Sequence, residues 1–415
     1  MNARECRFAF RTLPFLHSCD GAAGLVELRS QPSRRVLAWR PDLVGDLFRI
    51  DRLVRHAGSD TLGPLVGRGS LLFLDGDRHA QTRRILGPAL RGGQLKSYRQ
   101  LITATAERAL RELPAGVPFP LSGWTHRLTL RLVSQIVLGS APEPTLAEFS
   151  AWMDSVLGSR VRTLVYRYLR PPAAVPSPWR TFLRRREVLA ADLVRQAAAT
   201  APGTSNLRDL LVGLPGPGHD DELADQLITM LFAGHETTGS AIAWALYWLD
   251  RHPAVRRDVE AELAATTSDG ADAAEVPLLA AVCLEALRIS PPATVAGHRV
   301  LTADAELGGA GYPAGTVLTP CIYLAHRQPD VFAHPGRFEP RRFLEQRPSA
   351  QHYLPFGGGV RRCLGADLAL LELRMVLAAA LRLRPLRCVD AAAAVPQLRG
   401  PAMAPSVALH FVAPR

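Results

Sequence analysis

Lysine is almost missing: of 49 basic residues, only Lys96 is not arginine. Aromatics stop at 7%, and Gly and Pro number 33 each in 415 residues. Low-complexity chains carry roughly 25 to 30% Gly and Pro, so with 47% hydrophobic and 21% charged residues this composition is that of a folded chain with a large core. Long apolar runs are lacking as well. Uncharged apolar stretches such as Ala241 to Leu249 and Val276 to Leu284 end at nine residues, against the roughly 20 that cross a bilayer. The N-terminal MNARECRFAFRTLPFLHS alternates Arg with apolar residues and has no continuous apolar signal core, which predicts a cytoplasmic protein. Cys6, Cys19, Cys283, Cys321, Cys363 and Cys388 lie far apart with no C-x-x-C pair, so zinc ribbons, thioredoxin-type sites and a disulfide scaffold are not expected. No internal repeat, Ser/Gly-rich linker or single-sign charge run interrupts the chain, so one domain over 1–415 is expected despite its length.

The net charge is +11. A basic protein invites a nucleic-acid reading, but the arginines are scattered and form no aromatic-studded stripe, so none is expected. Apolar residues three and four apart, stopped by Pro or Gly, predict helices over 76–90, 94–112, 121–138, 146–169, 178–199, 221–250, 254–265, 277–289 and 364–383. Strand patterns are few: 25–28 and 36–39 as a hairpin in an N-terminal portion over 1–60, and short pieces within 305–320. The fold class is mainly α with a small β portion.

Residues 356–365, FGGGVRRCLG, form a glycine-dense turn that delivers Cys363 to the start of a strongly helical run. A helix N-terminus offers unpaired N–H groups and partial positive charge, which favour a thiolate, and glycine lets the backbone fold close to the sulfur. Phe356, Gly359, Arg361, Cys363 and Gly365 match F-x-x-G-x-R-x-C-x-G. This resembles the haem-binding signature of the cytochrome P450 family, the haem-thiolate monooxygenases. The resemblance implies haem b with Cys363 as axial iron ligand, Phe356 beside the sulfur, and a P450 fold with haem between an oxygen-binding helix (221–250) and the cysteine-loop helix.

Three further constellations agree with it. Burying two haem propionates unpaired would cost more than a protein's stability of roughly 5 to 15 kcal/mol, so cationic donors are required. His79 and Arg83 are four apart on one helical face and Arg361 precedes the cysteine by two; the family places propionate contacts at these positions and at one matching Arg299. AGHETT, 233–238, puts polar residues in an apolar helix, where a Gly and Thr hydroxyls bonding the preceding turn open room. It resembles A-G-x-E/D-T-T, so Ala233 and Gly234 are expected against the cofactor and Glu236 and Thr237 as the acid and alcohol that deliver protons during oxygen activation. Glu285-x-x-Arg288, with Arg342 in FEPRRF, resembles the family's buried structural triad, a network costly to break.

The implied activity is insertion of one oxygen atom from O2 into an apolar small molecule. Desaturation, ring formation and phenol coupling remain open, because that chemistry belongs to the cofactor. No electron-transfer module is fused, so a ferredoxin and an NAD(P)H-dependent ferredoxin reductase are the expected partners, with the basic surface suited to an acidic ferredoxin. Substrate contacts are expected from 62–73, 159–186 and 293–297, with Leu65, Val66, Leu72, Phe73 and Val295 as apolar lining. A terpenoid or polyketide intermediate of specialised metabolism is the expected substrate, with fatty-acid hydroxylation as the competitor. A haem-binding protein without turnover and a haem-free helical interaction protein are the readings from other classes; the acid and alcohol pair argues against the first, and four haem motifs against the second.

Overall fold

The computed structural model describes residues 2–50, 53–55, 62–158, 177–203, 206–214, 219–268, 273–390, 392–400, 402–406 and 408–414. Eight helices build the part that matters for the site: α1 (Gly76–Leu86), α2 (Gln94–Arg111), α3 (Leu121–Leu138), α4 (Glu143–Leu157), α5 (Pro178–Ala199), α6 (His219–Arg251), α7 (Pro277–Ile289) and α8 (Ala366–Leu383). Helix α6 runs unbroken through the middle of the molecule. Its stretch Ala241 to Leu249 is apolar on every face, so neighbours bury all of it but the half-buried Trp248. Two glycines allow the closest approach: a Cβ on Gly234 would lie 2.6 Å from Val133 Cγ2 of α3, and one on Gly239 2.4 Å from the His126 ring.

Helix ends follow local chemistry. Helix α1 stops at Leu86, short of the expected 90, and tightens into a 3-10 turn over Gly87–Leu90 because Pro88 supplies no amide donor. Helix α3 ends on Gly139 at φ 74°, a left-handed cap that favours glycine. Pro277 opens α7 at a first-turn position, and Pro291 and Pro292 follow its end at Ser290. Helix α4 begins at Glu143 and finishes at Leu157, so the helix expected over 146–169 is shorter than its pattern; its remainder from 159 lies outside the described residues.

Strands β1 (Leu25–Arg29) and β2 (Arg35–Ala38) form the expected antiparallel hairpin. A five-stranded sheet in the order β1-β2-β7-β4-β3 adds β3 (Val54–Arg55), β4 (Arg299–Leu301) and β7 (Val317–Pro320), with only β2 and β7 parallel. Strands β5 (Ala305–Leu307) and β6 (Ala310–Tyr312) make a separate hairpin. The first 50 residues are more helical than expected, with short helices at Ala3–Phe10, Thr12–His17 and Pro41–Arg49 beside the hairpin. Near the C-terminus, β8 (Pro396–Arg399) pairs with β9 (Ala402–Pro405). That hairpin rests on α6, where the Trp244 indole N–H donates to the Met403 carbonyl at 3.0 Å. Among the described residues no helix is long and apolar enough to cross a membrane.

Candidate active site

One cavity of about 430 Å³ opens between the middle of α6 and the start of α8. Its walls bring together His79 and Arg83 of α1, Ala233 to Thr238 of α6 except His235, the 292–297 segment with Arg299, and the loop from Pro355 to Gly365. Residues separated by nearly 300 positions thus face one space. The lining is otherwise apolar, with Leu71, Leu72, Met230, Ala293, Val295 and Ala296 among it.

Cys363 presents its sulfur to this cavity. Its amide donates to the Phe356 carbonyl at 2.9 Å, which closes the loop. Helix α8 begins three residues later, with Gly365 as its N-cap. Burial pushes the thiol pKa up despite the opposing Gly365 amide and the Arg362 and Arg83 charges. The expected lowering by the helix N-terminus is therefore outweighed, because desolvation penalises the anion more than the partial charge favours it. A bound metal cation reverses that balance by deprotonating its ligating thiol.

The cations of α1 and the loop crowd one edge. Arg299 donates to the Gly297 and Gly358 carbonyls at 2.8 and 2.9 Å and stacks 4.9 Å over the Phe48 ring. Arg361 donates to the Leu71 carbonyl and pairs with Asp75 at 3.0 Å. Arg83 is half-buried; burial pulls its pKa down, Arg361, Arg362 and Arg91 add to that, and Cys363 opposes. Among the described residues no carboxylate pairs with Arg83. A guanidinium pressed against other cations calls for an anion, and two haem propionates meet that need. A thiol, an apolar cleft and a cationic edge in one cavity fit haem.

Residues 233–238 are less uniform than their motif. Ala233 faces the cavity, and the half-buried Thr237 hydroxyl donates back to its carbonyl at 2.9 Å, the bond to the preceding turn that the sequence predicts. Gly234 lines the cavity, but the Cβ it lacks would point at Val133, so its smallness serves packing on α3 rather than room for a cofactor. Glu236 is 1% exposed and turned toward the C-terminal hairpin. Its Oε1 takes Arg399 Nε at 3.1 Å and faces His235 Nε2 at 3.2 Å. Burial opposes the charge of Glu236, yet His235, His126 and Arg399 together hold its pKa down to about 2. Burial lowers the pKa of His126 to about 4 despite Glu236, so His126 is neutral at pH 7 and the cation that faces the anion is Arg399.

The expected substrate contacts divide. Leu72 and Val295 line the cavity, but Leu65 and Val66 are 2% and 0% exposed within the main core and do not reach it. Phe73 likewise packs against that core. The short turn Gly63–Val66 points its apolar side inward, which alternation in sequence cannot reveal. Of the 159–186 stretch, residues 159–176 lie outside the described residues. Outside the cavity lining, Glu285 and Arg288 are fully buried and joined side-on at 2.7 and 2.8 Å, and Arg342 approaches Glu285 at 3.4 Å.

Three groups near the site were not expected from sequence. His126 and Arg399 carry no local signal, one sitting in an ordinary amphipathic helix and the other in an Ala- and Pro-rich tail. Glu372 carries one, a lone acid in the apolar run of α8; it is 2% exposed, lines the cavity, and burial pushes its pKa up to about 8.

A family model described as Cytochrome P450 matches residues 54–383. Two Mycobacterium tuberculosis proteins are similar over most of their length: cytochrome P450 135A1 is 30% identical over 382 residues, covering 89% of this chain and 83% of that protein, and cytochrome P450 135B1 is 32% identical over 379 residues, covering 88% and 79%. Among solved structures, retinoic acid-bound cyanobacterial CYP120A1 superposes with a TM-score of 0.80 at 22% identity, covering 94% of this chain and 91% of that one. The cytochrome P450DA heme domain does so at 0.78 and 21%, covering 97% and 90%.

Proposed function

The chain belongs to the cytochrome P450 family and is a haem-thiolate monooxygenase using O2, redox partners and a substrate; on that premise we propose that Cys363 ligates the iron, that His79, Arg83, Arg299 and Arg361 hold the propionates, and that the whole chain is one such domain. The observation that carries this reading is the single cavity shared by Cys363, the α1 cations and the middle of α6. Haem supplies the oxygen chemistry, activating O2 with two electrons and two protons. The protein's own residues do the rest. Arg83 and its neighbours neutralise and orient the propionates. Phe356 and the apolar lining keep water from the thiolate. Thr237, half-buried one turn after Ala233, offers a hydroxyl at the cavity wall, and Glu236, the residue before it, is the acid that serves it.

The apolar lining supports an apolar substrate, which we propose to be a terpenoid or polyketide intermediate of specialised metabolism, with a fatty acid as the competitor. Leu71, Leu72, Ala293, Val295 and Ala296 present hydrocarbon toward it. Electrons come from a ferredoxin. The exposed Arg91, Arg362 and Val360 lie around the cysteine loop and give an acidic ferredoxin a charged rim with an apolar contact. Titration of the ferric protein with terpenoids, polyketide fragments and fatty acids tests the substrate class, through a low-to-high-spin Soret shift confined to the first two. A shift with fatty acids alone overturns it. Cys363→Ala tests the ligand: it abolishes the thiolate-type carbon monoxide difference band, and a variant that keeps the band refutes the assignment.

A further inference from the structure

Two arginines in this protein meet buried carboxylates in different geometries. Arg288 meets Glu285 side-on, Nε to Oε2 at 2.7 Å and Nη2 to Oε1 at 2.8 Å, so both carboxylate oxygens are satisfied. Arg399 meets Glu236 end-on. Its Nε and Nη2 lie 3.1 and 3.0 Å from the same oxygen, Oε1, which also faces His235 Nε2. The second oxygen, Oε2, is buried with no hydrogen-bond partner, and His126 Nε2 lies 4.0 Å from it. That imidazole faces the Ser240 hydroxyl at 3.2 Å instead, and the Ser240 hydroxyl donates to the Glu236 carbonyl. An orphaned buried carboxylate oxygen costs free energy that a purely structural pair avoids.

Resting on the reading of Glu236 as the proton-delivering acid, we propose that Arg399 is a positioning residue for that delivery: it anchors Oε1 and leaves Oε2 as the oxygen that takes up and hands on the proton. The guanidinium suits the task. It fixes the carboxylate's rotation through two nitrogens while keeping it ionised between turnovers. Its Nη2 also pairs with Asp154 of α4, whose side chain is 54% exposed, so Arg399 spans from the solvent edge to the buried acid. The hairpin that bears it is part of the cavity wall's support: Ala402 bridges to Ala293, and the Met403 amide donates to the Pro292 carbonyl at 2.6 Å. Pro292 and Ala293 both line the cavity. The acid's orientation is thereby tied to the segment that meets substrate.

The test compares wild type, Glu236→Gln, Arg399→Gln and Arg399→Lys as holoproteins in substrate-free turnover driven by NADPH, a ferredoxin reductase and a ferredoxin. Oxygen consumed leaves either as peroxide, with two electrons and two protons, or as water, with four of each, and the second route depends on proton delivery. Arg399→Gln is expected to raise the peroxide-to-water ratio roughly tenfold, short of the hundredfold or more that loss of a proton-transfer group brings, with Arg399→Lys between it and wild type. A second readout needs no turnover: in the ferrous, carbon monoxide-bound protein the His126 imidazole titrates near 4 by NMR and moves upward in Arg399→Gln, because Arg399 is among the charges that hold it down. If Glu236→Gln itself leaves the ratio unchanged, the reading of Glu236 fails. If Glu236→Gln raises the ratio but both Arg399 variants match wild type, or if His126 does not move, the Arg399 inference fails while that reading stands. Should Arg399→Gln fail to retain haem, Arg399→Lys decides: a wild-type ratio overturns the inference.

Discussion

Replacing Gly234 by Ala isolates what this glycine does. The added methyl would sit 2.6 Å from Val133 Cγ2 and 3.2 Å from its Cβ, about 1 Å inside the roughly 3.5 to 4.0 Å of an ordinary carbon contact. Helices α3 and α6 must part or Val133 must leave its rotamer, which costs about 1 to 3 kcal/mol. Against that, Ala gains up to about 1 kcal/mol of helix propensity over Gly. The net expectation is a destabilisation of about 1 to 2 kcal/mol. Val133→Ala alone opens a void and also destabilises, but the pair together fits one methyl into the space of the other. A double-mutant cycle on urea midpoints therefore shows about 1 to 2 kcal/mol of favourable coupling, with the Soret spectrum unchanged in all four proteins. Additive losses, or a Soret change in Gly234→Ala that Val133→Ala does not relieve, would refute the packing role and return this glycine to the cofactor side.

Thr237→Ala removes the hydroxyl at the cavity wall; reductant is still consumed but leaves mainly as peroxide, and an unchanged peroxide share would show that another group serves. Glu285→Ala strands a fully buried Arg288 and is expected to cost about 3 to 5 kcal/mol, read as loss of soluble holoprotein, whereas wild-type yield and melting would sink the structural assignment. Glu372 titrates near 8 when folded and near an ordinary carboxyl value when unfolded, so between those values the folded state holds one more proton. Stability then falls as pH rises through that window, by about 1.4 kcal/mol per unit. Glu372→Gln removes this slope, and unfolding curves at pH 5 and pH 8 that differ equally in wild type and variant would contradict it.

The α-rich class was legible because long helices repeat their apolar positions over several turns: α2, α3, α7 and α8 lie within two residues of their expected bounds. The site's members were legible because their chemistry is local, with Cys363 in a glycine-dense turn and Thr237 in an apolar helix. Other features depend on contacts between distant segments. Leu65 and Val66 are buried by the core while Leu72, six residues further on, is left to the cavity, and a four-residue turn is too short for sequence periodicity to show which way it faces. Gly234 sits in its motif, but whether its missing Cβ faces cofactor or α3 depends on how two helices cross. The C-terminal strands are short and Ala- and Pro-rich, so no alternation marks them, and nothing near Arg399 announces its partner 163 positions away. By itself the sequence determined the helices, the family and the chemical groups of the site. Only the tertiary structure decided which oxygen of Glu236 is held and by what, because a hydrogen bond between remote segments exists only once packing has excluded water and fixed both ends.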